Sequence, residues 1–188
     1  MAEAVTRTIC LPLVLALLAL PSAVFAHRDD QYLQATLVAI EPSGVRLQIN
    51  LTPGVAVAER VIAEIDRDRD GAISNTEAAA YAELLKRDLT LRLDGRTLEL
   101  KLSASEFVPP EELRTGAGII QVEFSAISGA LAAGAHRLTL ENRHSTPMSV
   151  YLINAAQPRS ATVRITTQKR NDNQSTGEIE FTFHPFRP

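Results

Sequence analysis

Along most of this chain the apolar residues recur at every second position. Tyr32 to Ile40 reads as a strand, Glu41-Pro42-Ser43-Gly44 as a turn, and Val45, Leu47, Ile49 and Leu51 alternate with Arg46, Gln48 and Asn50. Period two sends successive side chains to opposite faces, so this is a hairpin with one buried face. Leu89, Leu91 and Leu93 repeat the pattern, Asp94-Gly95 supplies a hairpin turn, and Leu98, Leu100 and Leu102 alternate beyond it. Phe107-Val108-Pro109-Pro110 interrupts the alternation, and Pro110 to Arg114 reads as a short helical turn. Ile120, Val122 and Phe124 mark another strand, followed by a small-residue loop from Gly129 to Gly134. Leu138 with Leu140, then Val150 to Ile153, continue the pattern, and Val163 to Ile165 and Ile179 to Phe183 form a closing pair. Such short strands, divided by turn signals, predict a mainly β protein: an antiparallel β-sandwich of immunoglobulin-like kind.

Residues 53–89 break the rule. Thr52-Pro53 has the capping hydroxyl and first-turn proline of a helix start. Val57, Ala58, Val61, Ile62 and Ile65 then share one face at helical spacing, and Ala78, Tyr81, Ala82, Leu85 and Leu89 do the same further on. The expectation is a helix–loop–helix inserted early in the sandwich.

The loop between those helices runs Asp66-Arg67-Asp68-Arg69-Asp70-Gly71-Ala72-Ile73-Ser74-Asn75-Thr76-Glu77. A hard cation such as Ca²⁺ takes six to eight oxygens. Asp66, Asp68 and Asp70 supply three carboxylates along one tight turn, and Gly71 permits the bend. The Ala72 carbonyl, Ser74 (directly or through water) and both oxygens of Glu77 complete a shell. Ile73 is an apolar anchor for the loop, and Ser74 to Glu77 also forms a helix capping box. This loop resembles the EF-hand family at every diagnostic position, which implies calcium held by Asp66, Asp68, Asp70, Ala72, Ser74 and Glu77.

The ends and the composition narrow the rest. Arg7, the apolar run Ile9 to Leu20 and Val24-Phe25-Ala26 read as residues 1–26 of a secretory signal cut after Ala26. The expected location is periplasmic or extracellular, with His27 to Pro188 as one soluble domain. The single cysteine, Cys10, falls in the signal, which leaves the mature chain without thiols. Net charge is −3, with no basic run, Gly-rich phosphate loop or aromatic platform, which argues against nucleic acid as a partner. Two Asn-x-Ser/Thr sequons occur, at Asn50 and Asn173. No serine lies in a strand–turn–helix elbow, and Glu111-Glu112 has no acid–base geometry of its own, so no enzyme is expected.

Several runs widen the resemblance: His27 to Thr36, Leu51-Thr52-Pro53-Gly54-Val55, Asp88 to Gly95, Glu141-Asn142-Arg143-His144 and Ser149 to Ala155. In this order they are similar to bacterial exported proteins with a single EF-hand, and to the extracytoplasmic domain of nickel/cobalt transporters and of hydrogenase/urease accessory proteins. The transporters carry membrane helices after this domain, and none follows here before Pro188. Two functions follow as expectations. One is an exported calcium-binding protein with a structural ion. The other is a soluble accessory domain working beside a membrane transition-metal transporter, through a membrane or exported protein partner. The second turns on His27, whose amine and imidazole chelate Ni(II) or Cu(II) once the signal is cut, with His136, His144, His184 and Met148 as further donors.

Overall fold

In the computed structural model, which describes residues 29–185, the first alternating run forms the expected hairpin. Strand β1 (Tyr32–Glu41) pairs antiparallel with β2 (Gly44–Pro53) over its whole length. Two helices follow, α1 (Val55–Ile65) and α2 (Asn75–Arg87). Then come β3 (Leu89–Leu93), β4 (Arg96–Thr97), β5 (Lys101–Glu106) and α3 (Pro110–Arg114). The chain ends with β6 (Ile120–Ile127), β7 (Gly134–Asn142), β8 (Ser149–Ala155), β9 (Val163–Arg170) and β10 (Thr176–Phe183). The protein is mainly β, as the alternation predicts.

The strands form two sheets of five, ordered β5-β6-β2-β1-β8 and β4-β3-β7-β10-β9. Pairing is antiparallel except at one place, where β8 runs parallel to β1 with Tyr32 opposite Ser149. Antiparallel pairing is therefore the rule but not the whole description. The inward residues of both sheets, Leu47, Ile49 and Phe124 from the first and Leu91, Leu138 and Phe181 from the second, belong to one apolar cluster. The helices contribute Val61, Ile65, Leu85 and Leu113 to that cluster.

Three local expectations change. The run from Leu98 to Leu102 is not one strand. The two residues before it, β4, stay in the second sheet, residues 98–100 cross over, and β5 joins the first sheet beside β6. Leu98 and Leu100 are buried on the way, so period-two burial continues while the sheet changes. Thr52-Pro53 also does not start a helix. Both residues finish β2, and α1 is capped at Gly54 without a side-chain bond. The N-terminal arm does that work instead: Gly54 N–H donates to the Gln31 carbonyl (2.8 Å) and Ala56 N–H to the Asp29 carbonyl (2.7 Å). A tertiary contact satisfies the first-turn donors that a hydroxyl usually meets. Finally, Leu89 continues the apolar face of α2 in sequence but opens β3. Among the described residues no helix is long and apolar enough to cross a membrane. The signal and His27 lie outside the described residues.

Candidate functional site

The loop from Asp66 to Ser74 joins two helices whose inner faces are pinned in the core through Ile62, Ile65, Tyr81 and Leu85. It cannot relax into either helix, because Arg69 and Gly71 both take left-handed backbone angles, φ 62° and 84°. Glycine adopts that region without cost; an arginine there is uncommon and is held by its surroundings. Ile73 is half-buried and packs on the protein's own core, so the apolar residue of the loop already has an intramolecular partner.

The sharp turn gathers carboxylates. One oxygen from each of Asp66, Asp68 and Asp70 lies within 4.8 Å of the others, a set able to hold a metal ion. Backbone donors hold the outer oxygens. Gly71 N–H donates to Asp66 Oδ2 (3.1 Å), Asp70 N–H to Asp68 Oδ1 (3.2 Å) and Ala72 N–H to Asp70 Oδ1 (2.8 Å). Asp66 Oδ1 has no partner, although Asp66 is only 5 % exposed. Thr36 Oγ1 and Asn50 Oδ1 are the other unpartnered buried side-chain atoms among the described residues, and both are neutral. An ionised oxygen shut away from water without a donor is far more costly.

Glu77 does not join the three aspartates in that cluster. Its Oε1 accepts from Arg67 N–H (2.8 Å) and its Oε2 from Ser74 N–H (3.0 Å) and the Ser74 hydroxyl (2.8 Å). Ser74 Oγ accepts in return from Glu77 N–H (3.2 Å), which completes the capping box that starts α2. Glu77 thus reaches across the loop from its far end. These bonds, led by the Ser74 N–H, hold the Glu77 carboxyl below its ordinary pKa. Asp68 goes the other way. The Asp70 N–H is the strongest single influence and favours its charged form, but lost hydration and the charges of Asp70, Glu77 and Asp66 together outweigh it. The loop therefore concentrates negative charge beyond what its own donors neutralise. Ala72 and Ser74 are exposed within it.

A second polar cluster sits at the other end of α2, and sequence spacing gives no sign of it. Tyr81 Oη lies 2.7 Å from Tyr32 Oη and 3.0 Å from His144 Nε2, and His144 Nδ1 lies 2.8 Å from Asp88 Oδ2. The carboxylate makes Nδ1 the donor. Nε2 then meets the Tyr81 hydroxyl, which in turn meets that of Tyr32. The His144 carbonyl takes bonds from Gln34 and from the Tyr151 hydroxyl, both at 2.9 Å, and Asn142 bridges Gln34 to the His144 N–H. Tyr32, Tyr81 and His144 are each at most 2 % exposed, so no substrate reaches them. Burial, before any neighbouring charge, pushes both phenols above their ordinary pKa. This is a closed network that fixes α2 to both sheets.

Among the described residues no histidine joins a cluster of three or more metal-ligating side chains. His136 Nδ1 faces Asp94 Oδ2 (2.7 Å) and Nε2 faces the Ala132 carbonyl (2.8 Å). Both partners are acceptors, so both ring nitrogens are already engaged in hydrogen bonds, which favour the imidazolium. His144 uses both nitrogens in its network. No protein-family model matches the chain, and no curated protein matches its sequence.

Proposed function

We propose that this protein is an exported calcium-binding module. In this reading the helix–loop–helix is an EF-hand inserted in an immunoglobulin-like sandwich, and the ion braces that fold. The observation that carries the reading is Asp66 Oδ1: a buried carboxylate oxygen with no donor, beside two further carboxylates within 4.8 Å. A divalent cation supplies the missing partner.

The donor chemistry selects the cation. Asp66, Asp68 and Asp70, the Ala72 carbonyl, Ser74 and Glu77 offer oxygen alone. Oxygen-only sites favour hard cations over Ni(II), Cu(II) or Zn(II), which prefer nitrogen or sulfur. Mg²⁺ keeps most of its waters and wants a small octahedral site, whereas a loop with several carboxylates suits the larger and more adaptable Ca²⁺. Extracellular modules of this kind bind at about 10⁻⁴–10⁻³ M. At ~1 mM calcium and a dissociation constant of ~0.1 mM, binding contributes about 1.4 kcal/mol to stability. That magnitude suits a brace. Ile73 packing on the protein's own core supports the same role.

The test is calorimetric titration of Ca²⁺ into chelator-stripped protein, beside Asp66→Asn and Glu77→Gln. One site per chain, removed by either substitution, is the expected result. No heat together with no calcium-dependent rise in melting temperature rejects the proposal.

A further inference from the structure

The outer faces of the two sheets differ in chemistry. On the second sheet Arg137 pairs with Glu178 (3.6 Å) and Glu180 (3.1 Å) across adjacent strands, as a solvated face does. On the first sheet the outward residues of β1 are Leu33, Ala35, Leu37 and Ala39, and β8 adds Val150 and Leu152 beside them. Leu37 is 43 %, Val150 36 % and Leu152 37 % exposed. The neighbouring strand β2 turns polar Arg46, Gln48 and Asn50 outward, so the apolar stripe has a polar border. A contiguous apolar patch with a polar rim is the anatomy of a docking surface.

The free edge of β8 is a poorer route to a partner. Its Ile153 carbonyl accepts from Gln168 (2.9 Å) and Arg170 (2.5 Å), and its Ala155 N–H donates to Gln168 Oε1 (3.0 Å). Side chains of β9 thus occupy backbone groups that an added strand would need. The face is left as the surface for contact.

We infer that this face joins a second copy of the chain in a two-fold dimer, with the β1 strands of the two copies antiparallel. Three features fit that occupant. First, bulk alternates along β1. A two-fold axis near Thr36 sets Leu33 of one copy over Ala39 of the other and Leu37 over Ala35, so large residues meet small ones. Second, charge is arranged end to end. Asp29 borders a cavity at one end of the stripe with Leu33 and Val150. The cavity at the other end is bordered by Leu37, Arg159, Glu123 and the Arg46–Glu41 pair. Neither Asp29 nor Arg159 has an ion-pair partner among the described residues. Antiparallel copies bring each Asp29 toward the other copy's Arg159 twice over, as two-fold symmetry requires. Third, the area allows it. The whole five-stranded sheet, at about 3.3 Å per residue and about 4.8 Å apart, offers on the order of 650 Å², of which the apolar stripe on β1 and β8 is roughly two fifths and the polar border the rest. Standard interfaces use roughly 600–1,000 Å² per partner.

Sedimentation velocity on the purified protein, with and without calcium, tests this. A dimer is expected at tens of micromolar in both conditions, since no residue of the stripe belongs to the calcium loop. Leu37→Glu, at an outward position that the fold does not need, is expected to give monomers with unchanged circular dichroism and a melting temperature that no longer depends on protein concentration. Asp29→Arg is expected to weaken the dimer about tenfold, and adding Arg159→Asp to restore it. A protein that stays monomeric at 100 µM overturns the inference, including one that instead binds lipid vesicles or another protein. So does a dimer that Leu37→Glu leaves intact.

Discussion

The two ends of α2 carry polar clusters of opposite kinds. At its C-terminal end Asp88, His144, Tyr81 and Tyr32 pass hydrogen bonds in a closed line, and three of the four are buried with a partner for each polar tip. At its N-terminal end Asp66, Asp68 and Asp70 converge, and one buried oxygen is left with nothing. The difference separates structure from site. A network that satisfies itself has no reason to take a ligand, however much it resembles a catalytic relay. A cluster of carboxylates with fewer donors than acceptors is incomplete, and in the proposed function a cation completes it.

That contrast makes Tyr81→Phe the largest expected effect. It removes one hydroxyl and strands two buried partners, at about 2–3 kcal/mol, or roughly 5–10 °C in melting temperature for a chain of this size. Calcium binding by calorimetry should survive it. If Tyr81→Phe melts like the parent, the closed end is not a brace. Next comes Asp66→Asn. In calcium it should lose the bound-ion stabilisation, about 1.4 kcal/mol at the concentrations considered above, and in chelator that loss should vanish. A substitution that costs as much in chelator as in calcium would make Asp66 a purely structural residue.

A smaller effect concerns His136 and Asp94 on the second sheet. Burial works against the His136 imidazolium, but the bonds to Asp94 and the Ala132 carbonyl outweigh it and raise its pKa. Burial likewise opposes the Asp94 charge, and the Arg137 N–H and His136 overcome it and lower that pKa. A raised histidine stabilises fully below its unfolded pKa, about 6.5, and the benefit is lost as pH rises through the folded value. A lowered aspartate stabilises above about 3.9 and loses the benefit as pH falls through its folded value. The pair should therefore contribute most near pH 5, by at most about 1 kcal/mol at this partly exposed site. Thermal melts of His136→Gln against the parent should converge as pH rises toward 9. A gap that is constant with pH would remove the charge from the explanation. The smallest effect is a change of sign: Asp68→Asn should melt slightly above the parent in chelator, where its neighbours repel it, and below it in calcium.

How much of this is legible in the sequence depends on how local the physics is. The Asp66 to Glu77 loop can be read directly, because its donors and its turn lie within one stretch of chain. The alternation of β1, β2, β6 and β10 can be read for the same reason. The crossing at Leu98 to Leu100 cannot, since burial every second residue is the same whichever sheet receives it. Thr52-Pro53 misleads because the donors of α1 are met by Gln31 and Asp29, through a contact that no local pattern encodes. Tyr32, Tyr81 and His144 come from β1, α2 and the segment after β7, and their meeting depends on the whole fold.

The parallel pairing of β1 with β8 sets an order of events for a nascent chain. Tyr32 meets Ser149 only after nearly everything between them has been made. Contacts so distant along the chain close slowly, because loop entropy is lost before the contact repays it. Until then the inner edge of the first hairpin stands unpaired, with Leu33 and Leu37 beside it. Closure of the first sheet is expected to come late, when β8 arrives, and the exposure of that edge to aggregation is expected to end at the same moment.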